Sequence, residues 1–554
     1  MQRRGSPELR PRLLRGDGGR AAGALAVALL ASLATSAPAD DALPVIRSIE
    51  LTGITVYTRD EALRIVRLHE GDPLRREPGL VALGLETRYH DDGYPAARVA
   101  GSYDAADGIL ALEADEGRLA EVVIEGLSAR GAARARAEAG LTPGAVLRQE
   151  DIAAAFDRIA AASDGALEAG EHRIEELPGG VRLVLEPERA HVRLSPLIGA
   201  GELRTARRFN RVDGVNPALG VEITLLDAAS YNHLRAYAIG DYGFSSEKLR
   251  HAAGLSRPFL RGQRLTLGYE HHDLTDTDDL YRAPGLEEAP GTAIVLGEYA
   301  DYFRRQGHEA YAFARIGSRS EIGLSWRSDD YRSLPVATGS TDPNPPTTEG
   351  RMRSLVATAR FTSAGDLHPS GSSERASFLQ RDLYGVPREP PRALRAEATF
   401  EVASPSALGG DFDFRRFIAN LRGHVALSGR AALDARLLVG LTSGTLPLEK
   451  RFSLGGVGTL RGYALKAFPG ANIALATGEA RFDPGPWLPR FAVFYDGGVA
   501  WDSGVTSVGW KSAVGAGIKW PASARVFARV DVARAVGDPH ESKVRVQGRV
   551  QIPF

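Results

Sequence analysis

The 554-residue chain contains no cysteine and only two methionines. It therefore has no disulfides and no thiolate chemistry, which is compatible with export to a compartment where stray thiols would be oxidised. Its 68 basic and 69 acidic residues give a net charge of −1, so no overall field attracts nucleic acid. Beyond the N-terminal region, no run of about twenty apolar residues could form a transmembrane helix. If the chain spans a membrane, we expect it to do so with strands.

Catalytic sequence patterns are also missing. We find no Gly-x-Ser-x-Gly, no His-Glu-x-x-His and no phosphate-binding loop with Lys-Ser/Thr. Residues 270–273, followed by Asp276, Asp278 and Asp279, could be drawn as a metal site, but their spacing matches no known calcium or zinc pattern. We interpret this segment as a solvated loop beside a strand end. We expect no enzymatic activity, no cofactor and no metal.

Residues 1–39 predict a secretory signal peptide. Six arginines precede an apolar run at residues 21–33, and small residues follow, with a candidate cleavage site after Ala39. An N-terminal membrane anchor is the alternative, although the run is short for one. We expect the mature chain to begin near Asp40.

Between the signal and residue 190 the sequence repeats itself once. The glycines at positions 53 and 71 have counterparts 73 positions later. A fixed period of this size indicates tandem small domains. We predict α+β repeats at residues 44–116 and 119–188, each in the order strand, helix, helix, strand, strand. A capping box at residues 58–61 begins the first helix.

From residue 191 onward, short alternating segments are separated by turn-forming residues. The apolar row of the last segment is Val544, Val546, Val550, Ile552 and Phe554. An aromatic residue that ends such a row is typical of a transmembrane β-barrel, with lipid outside and a polar lumen inside. Amphipathic strands of a soluble β-sandwich are the alternative. We predict that residues 191–554 form a sixteen-stranded antiparallel barrel, which the last segment closes.

One segment, residues 452–463, is not explained by barrel architecture. Its four glycines and single arginine predict a tightly folded backbone that holds one positively charged side chain at a defined position. An ordinary surface loop is the alternative. Glu479 and Asp496 are lone carboxylates on two later predicted strands. Inside a lumen they could meet Arg461.

The chain resembles the superfamily of BamA, TamA and the two-partner-secretion transporters, in which periplasmic POTRA repeats precede a sixteen-stranded outer-membrane barrel. Leu460-Arg461-Gly462-Tyr463 is similar to the tip of the family's long loop that folds back into the barrel. Residues 494–497, Phe-Tyr-Asp-Gly, are similar to a family strand motif that contains an acid. The resemblance covers essentially the whole mature chain.

This resemblance implies a mainly β protein, with a transmembrane barrel in the bacterial outer membrane and two POTRA repeats in the periplasm. It also implies that Asp496, and with less specificity Glu479, anchors Arg461 to the barrel wall. The partners implied are an unfolded polypeptide client, outer-membrane lipid, periplasmic chaperones and the barrel-assembly machinery, with no nucleic acid.

Three functions compete at this point. Two repeats favour secretion of a polypeptide across the outer membrane, as in two-partner secretion. The lack of room for a plug helix before the first repeat favours TamA- or BamA-like insertion and assembly of outer-membrane proteins. A passive pore is the third alternative, and it would need neither the repeats nor the arginine loop. Secretion is our leading expectation from the sequence.

Overall fold

A computed structural model describes most of the chain. The described residues are 43–198, 209–260, 262–282, 300–336, 343–365, 367, 390–485, 488–504, 509–523, 526–538 and 543–551. The predicted signal peptide and the residues Ile552 and Phe554 lie outside this part. The chain divides into two compact units, the first built mainly from residues 43–120 and the second mainly from the rest.

The first unit holds a three-stranded sheet under two helices. Its elements are β1 (Ser48–Thr52), α1 (Arg59–Val66), α2 (Pro78–Asp91), β2 (Arg98–Asp104) and β3 (Ile109–Asp115). The central strand β3 runs parallel to β1 and antiparallel to β2. The predicted capping box is confirmed, because Thr58 and Glu61 bond each other's backbone N–H groups at the start of α1. Fully buried Leu85, Tyr89 and Leu110 pack between the helices and the sheet.

A second α+β segment repeats this order. Its elements are β4 (Leu119–Ile124), α3 (Ala129–Ala139), α4 (Gln149–Ala162), β5 (Leu167–Leu177) and β6 (Gly180–Arg189), with sheet order β4-β6-β5. Ile152, Phe156 and Ile159 form one buried stripe on α4. The two sheets reproduce the strand-helix-helix-strand-strand order of the sequence repeat. The exact domain boundaries stay a prediction.

Sixteen of the described strands form one antiparallel sheet, as predicted. In sheet order they are β7 (Val192–Ile198), β10 (Ala218–Leu225), β11 (Leu234–Gly243), β12 (Lys248–Phe259), β13 (Leu265–Asp276), β14 (Phe303–Ile316), β15 (Ser320–Ser333), β16 (Gly350–Thr362), β17 (Arg392–Ala403), β18 (Phe414–Ala426), β19 (Ala431–Gly444), β22 (Asn472–Phe482), β23 (Arg490–Trp501), β24 (Lys511–Ser523), β25 (Val526–Val536) and β26 (Val544–Gln551). Two short hairpins lie outside this sheet, namely β8 (Phe209–Asn210) with β9 (Gly214–Val215), and β20 (Phe452–Leu454) with β21 (Phe468–Gly470). A single helical turn, α5 (Pro405–Leu408), precedes β18.

The sheet differs from the expected closed barrel at its two ends. Each strand pairs with its neighbour in the sheet, but among the described residues β7 and β26 form no ladder with each other. The described residues stop directly after each of these strands, at Ile198 and Gln551. We call the outer edges of β7 and β26 the seam.

Alternation along the strands separates an apolar outer face from a polar inner face. Large apolar side chains on the outer face are exposed, for example Leu324, Leu437, Val493 and Val546. The inner face carries buried charges instead. This is the pattern expected of strands with lipid on one side and a lumen on the other. Among the described residues, no helix is long and apolar enough to cross a membrane.

Contacts with the second α+β segment distinguish one rim of the sheet from the other. Arg134 donates to the backbone carbonyl of Ser230 at 2.7 Å, and its guanidinium lies 4.2 Å from the ring centre of Tyr231. Asp164 pairs with Arg193 at 2.9 Å. Burial opposes ionisation of Asp164, but the bonds from Arg193 outweigh it and lower the pKa of this carboxyl. We call this end the near rim, and the opposite end, which bears residues 445–471, the far rim.

Candidate functional site

The glycine-rich segment folds into the lumen instead of lying on the surface. The hairpin β20–β21 forms its base, and Gly455, Gly456 and Gly458 adopt left-handed φ angles of 111°, 79° and 79°. Side chains other than glycine rarely adopt these angles, so the glycines allow the chain to reverse tightly. Leu460 and Tyr463 are fully buried in an apolar cluster with residues of the barrel wall. We call residues 452–470 the inward loop.

Arg461 is the tip of the inward loop and is 4% exposed. Its Nε and Nη2 atoms donate to the two carboxylate oxygens of Asp496, both at 2.7 Å. The backbone N–H of Arg461 donates to the same carboxylate at 3.1 Å. The guanidinium also lies 3.3 Å from the ring centre of Phe494. Such a two-pronged bond on a ring surface suits the planar guanidinium and no other cation in proteins.

Glu479 is the second acid at this site and binds three cations. Arg461 donates to it at 3.1 Å, Lys519 at 2.7 Å and Arg529 at 2.6 Å. Asp531 balances the excess positive charge, because it bonds Arg529 at 2.6 Å and lies 3.6 Å from Arg461. The structure thus brings together both acids singled out in the sequence. It adds three wall residues on β24 and β25 that sequence reasoning missed.

The neighbours of Arg461 fix the loop tip against the last strands. A Cβ atom on Gly462 would lie 2.7 Å from the backbone carbon of Arg534, so only glycine fits there. Tyr463 donates to the backbone carbonyl of Ser512 on β24 at 3.3 Å. Gln547 on β26 donates to the backbone carbonyl of Arg461 at 3.0 Å. The loop tip therefore contacts the strand that forms one side of the seam.

The predicted closing strand is present as β26. Val544 and Val546 face outward with 60% and 68% exposure. Val550 is part of this strand, whereas Ile552 and Phe554 lie outside the described residues.

A second arginine, Arg282, locks the base of the inward loop, and sequence reasoning missed it. It comes from the far-rim connection between β13 and β14, and it donates to the backbone carbonyl of Ser453 at 2.7 Å and to that of Gly455. Arg436 on β19 donates to the carbonyls of Tyr281 and Gly458, the latter at 2.9 Å. Two loops from distant parts of the sequence are thus bonded into one assembly.

Acidic residues near Asp276 were interpreted from the sequence as a solvated loop, and this interpretation is wrong. Residues 270–276 belong to strand β13, and Asp276 is 4% exposed. It pairs with Arg305 at 3.1 Å, while Asp278 pairs with Lys450 at 2.9 Å. These acids can be buried because each pairs with a cation that is distant in sequence, Arg305 on β14 and Lys450 in the connection between β19 and β20. Within the described residues, no group of histidine and acidic side chains could hold a metal ion.

These features define a class of protein: a transmembrane β-barrel with N-terminal α+β repeats and a loop anchored inside its lumen. The model of the Omp85 superfamily domain matches residues 210–552, more than half of the chain. The protein therefore belongs to the Omp85 superfamily. Members of this superfamily transport polypeptides or assemble membrane proteins, and their POTRA domains lie in the periplasm.

Several solved structures are similar to this chain. BamA from Haemophilus ducreyi lacking POTRA domains 1–3 is 14% identical with a TM-score of 0.49, over 91% of this chain and 99% of that one. CdiB from Escherichia coli is 17% identical with a TM-score of 0.36, over 94% and 93%. The N-terminal domain of Omp85 from Thermosynechococcus elongatus is 23% identical with a TM-score of 0.22, over 26% and 68%. No curated protein matches the sequence.

Proposed function

We propose that this protein inserts or assembles outer-membrane polypeptides at the seam between β7 and β26. The observation that carries the proposal is the position of β7 and β26 as the two terminal strands of the sheet, with no mutual ladder among the described residues. A client strand can be added to a terminal strand by backbone pairing along its edge. The lipid-facing position of Val546 places such a client directly at the membrane.

The inward loop supports this role because it reaches the seam. Gln547 on β26 bonds the carbonyl of Arg461, and Arg461 is held by Asp496 on β23. A change in the position of the loop would therefore act on the last strand. In this proposal Arg461 keeps β26 in the barrel wall. The α+β repeats at residues 44–116 and 119–188 would receive the unfolded client from periplasmic chaperones.

Secretion through the lumen is the second candidate function. The presence of two α+β repeats favours it, as does the charged inner face, which suits an unfolded polar chain. For secretion the inward loop must leave the lumen, whereas insertion at the seam needs only the edges. Neither route requires an enzyme, a cofactor or a metal.

The two candidates are separated by locking the seam. Because the chain has no native cysteine, Leu194→Cys and Val546→Cys introduce one thiol on each edge strand. Both positions are exposed, at 66% and 68%, and bifunctional maleimides of increasing spacer length are used to join them. A matched control joins Val221→Cys with Ala238→Cys, which are direct partners on β10 and β11.

The readout is the insertion of a urea-unfolded eight-stranded barrel into vesicles that contain the protein, followed by its heat-modifiable migration. We expect the seam crosslink to abolish insertion and the control crosslink to leave it unchanged. Insertion that continues at the normal rate with a fully crosslinked seam would rule out the seam as the site of action.

A further inference from the structure

The outer face of strands β12–β16 changes from apolar to polar along one row. The last largely apolar row consists of the cross-strand partners Leu255, Tyr269, Ala310, Trp326 and Leu355. The next row toward the far rim consists of Ala253, His271, His308, Ser328 and Arg353. A belt that ends in tyrosine and tryptophan marks the boundary between hydrocarbon and headgroups. The second row therefore lies at headgroup level.

Three histidines cluster at this boundary on three adjacent strands. The rings of His271 and His308 have centres 4.7 Å apart, and their Nδ1 atoms are 3.3 Å apart. The ring of His251 lies 5.4 Å from that of His271. Tyr269 places its hydroxyl 2.5 Å from Nδ1 of His308. Three polar rings on an outward face add nothing to an apolar core, so packing alone does not explain this cluster.

The surroundings of the histidines are basic. Arg353 lies in the same row, and its Nη1 donates at 3.0 Å to the backbone carbonyls of Asp329 and Met352. The next row toward the far rim carries two acids: Asp273, which pairs with Arg250 at 3.2 Å and Arg304 at 2.7 Å, and Asp330, which lies opposite Arg351. The row therefore offers N–H donors with a net positive charge. We call His251, His271, His308 and Arg353 the histidine patch.

We propose that the histidine patch binds the phosphate groups of lipopolysaccharide in the outer leaflet. Guanidinium and imidazole N–H groups are strong donors to phosphate oxygens, and lipid phosphates lie at this depth in a bilayer. The second α+β segment contacts the near rim. Because we place this segment in the periplasm, the far rim lies on the cell exterior, where the leaflet carries phosphorylated lipid A. The inference rests on the outer-membrane placement in the proposed function, but not on the choice between insertion and secretion.

The test measures lipid retention by the purified full-length protein. Wild type and the triple variant His271→Gln, His308→Gln, Arg353→Gln are titrated with bisphosphorylated lipid A and with its dephosphorylated form. Vesicles of phosphatidylglycerol form the third arm, because they carry phosphate from another lipid. The control is Arg415→Gln on β18, which removes an exposed outward arginine near the same rim but away from the patch.

We expect wild type and the Arg415 variant to bind bisphosphorylated lipid A at least tenfold more tightly than the other two lipids. The triple variant should lose that preference while its heat-modifiable migration shows a folded barrel. Equal binding of all three lipids by wild type would overturn the proposal. So would a triple variant that is folded and keeps the preference. Client insertion is measured separately, so failure here leaves the seam proposal standing.

Discussion

Replacing Arg461 by alanine should release the inward loop without unfolding the barrel. The change would leave Asp496, which is fully buried, with only the backbone N–H of residue 461 as a partner from this loop. Glu479 would keep its bonds from Lys519 and Arg529, so this carboxylate would lose less stabilisation than Asp496. Removing one member of a buried ion pair typically costs about 3–5 kcal/mol. We assign most of that cost to Asp496.

A thiol reporter measures this release. Val457→Cys places a unique cysteine at a loop position that is 5% exposed. If the reagent reaches it only when the loop opens, a loss of about 3–5 kcal/mol raises the labelling rate roughly 10²- to 4 × 10³-fold, since each 1.4 kcal/mol is a factor of ten. Arg461→Lys should give an intermediate rate, because an ammonium cannot bond both carboxylate oxygens in the same way.

The matched control for this experiment is Arg451→Ala. Arg451 lies beside the same loop and pairs with Asp502 at 2.6 Å, but the pair is exposed. An exposed pair contributes roughly 0–1 kcal/mol, so labelling should change less than about fivefold. Labelling of the Arg461→Ala variant at the wild-type rate would refute the anchoring role of Arg461.

Three further perturbations have expected outcomes. Arg282→Ala should also speed labelling of the reporter, because the carbonyls of the loop base lose their buried donor. Gly462→Ala should release the loop, whereas Gly478→Ala should not, because a Cβ on Gly478 meets nothing within 4 Å. The third concerns Glu116, where burial raises the carboxyl pKa but bonds from Thr55, Val56 and Tyr89 outweigh it and lower that pKa. A lowered folded-state pKa stabilises the first unit above the unfolded value of about 4.3, and this stability is lost as pH falls through the folded value. Circular dichroism melts of Glu116→Gln should therefore show a weaker pH dependence below about pH 4 than wild type.

Strand alternation and the α+β repeat could be predicted from the sequence because both are local. A strand between lipid and lumen must alternate, and Val544 and Val546 show this directly. The capping box at Thr58 and Glu61 depends on residues three apart, so it could also be recognised. The bond that joins the inward loop to β26 could not, because Gln547 and Arg461 are 86 positions apart in the sequence.

The candidate site was predictable only in part, for a physical reason. Arg461 stood out because glycines surround a single cation, and the family resemblance supplied its acids. Arg282 gave no such signal, because its partners are the backbone carbonyls of residues about 170 positions away. The buried acids near Asp276 were misjudged for the same reason. Their compensating cations, Arg305 and Lys450, come from other strands and loops whose proximity the sequence does not reveal.

Photo-crosslinking at the seam tests client capture most directly. A photoreactive residue is placed at Val546 on the edge strand β26, at Val493 on the outer face of interior strand β23, or at Asn420 on the inner face of β18. An arrested barrel client is then added to the full-length protein in vesicles and irradiated. We expect crosslinks from position 546 and none above background from 493 or 420. Crosslinks from position 420 with none from 546 would show passage through the lumen and contradict insertion at the seam.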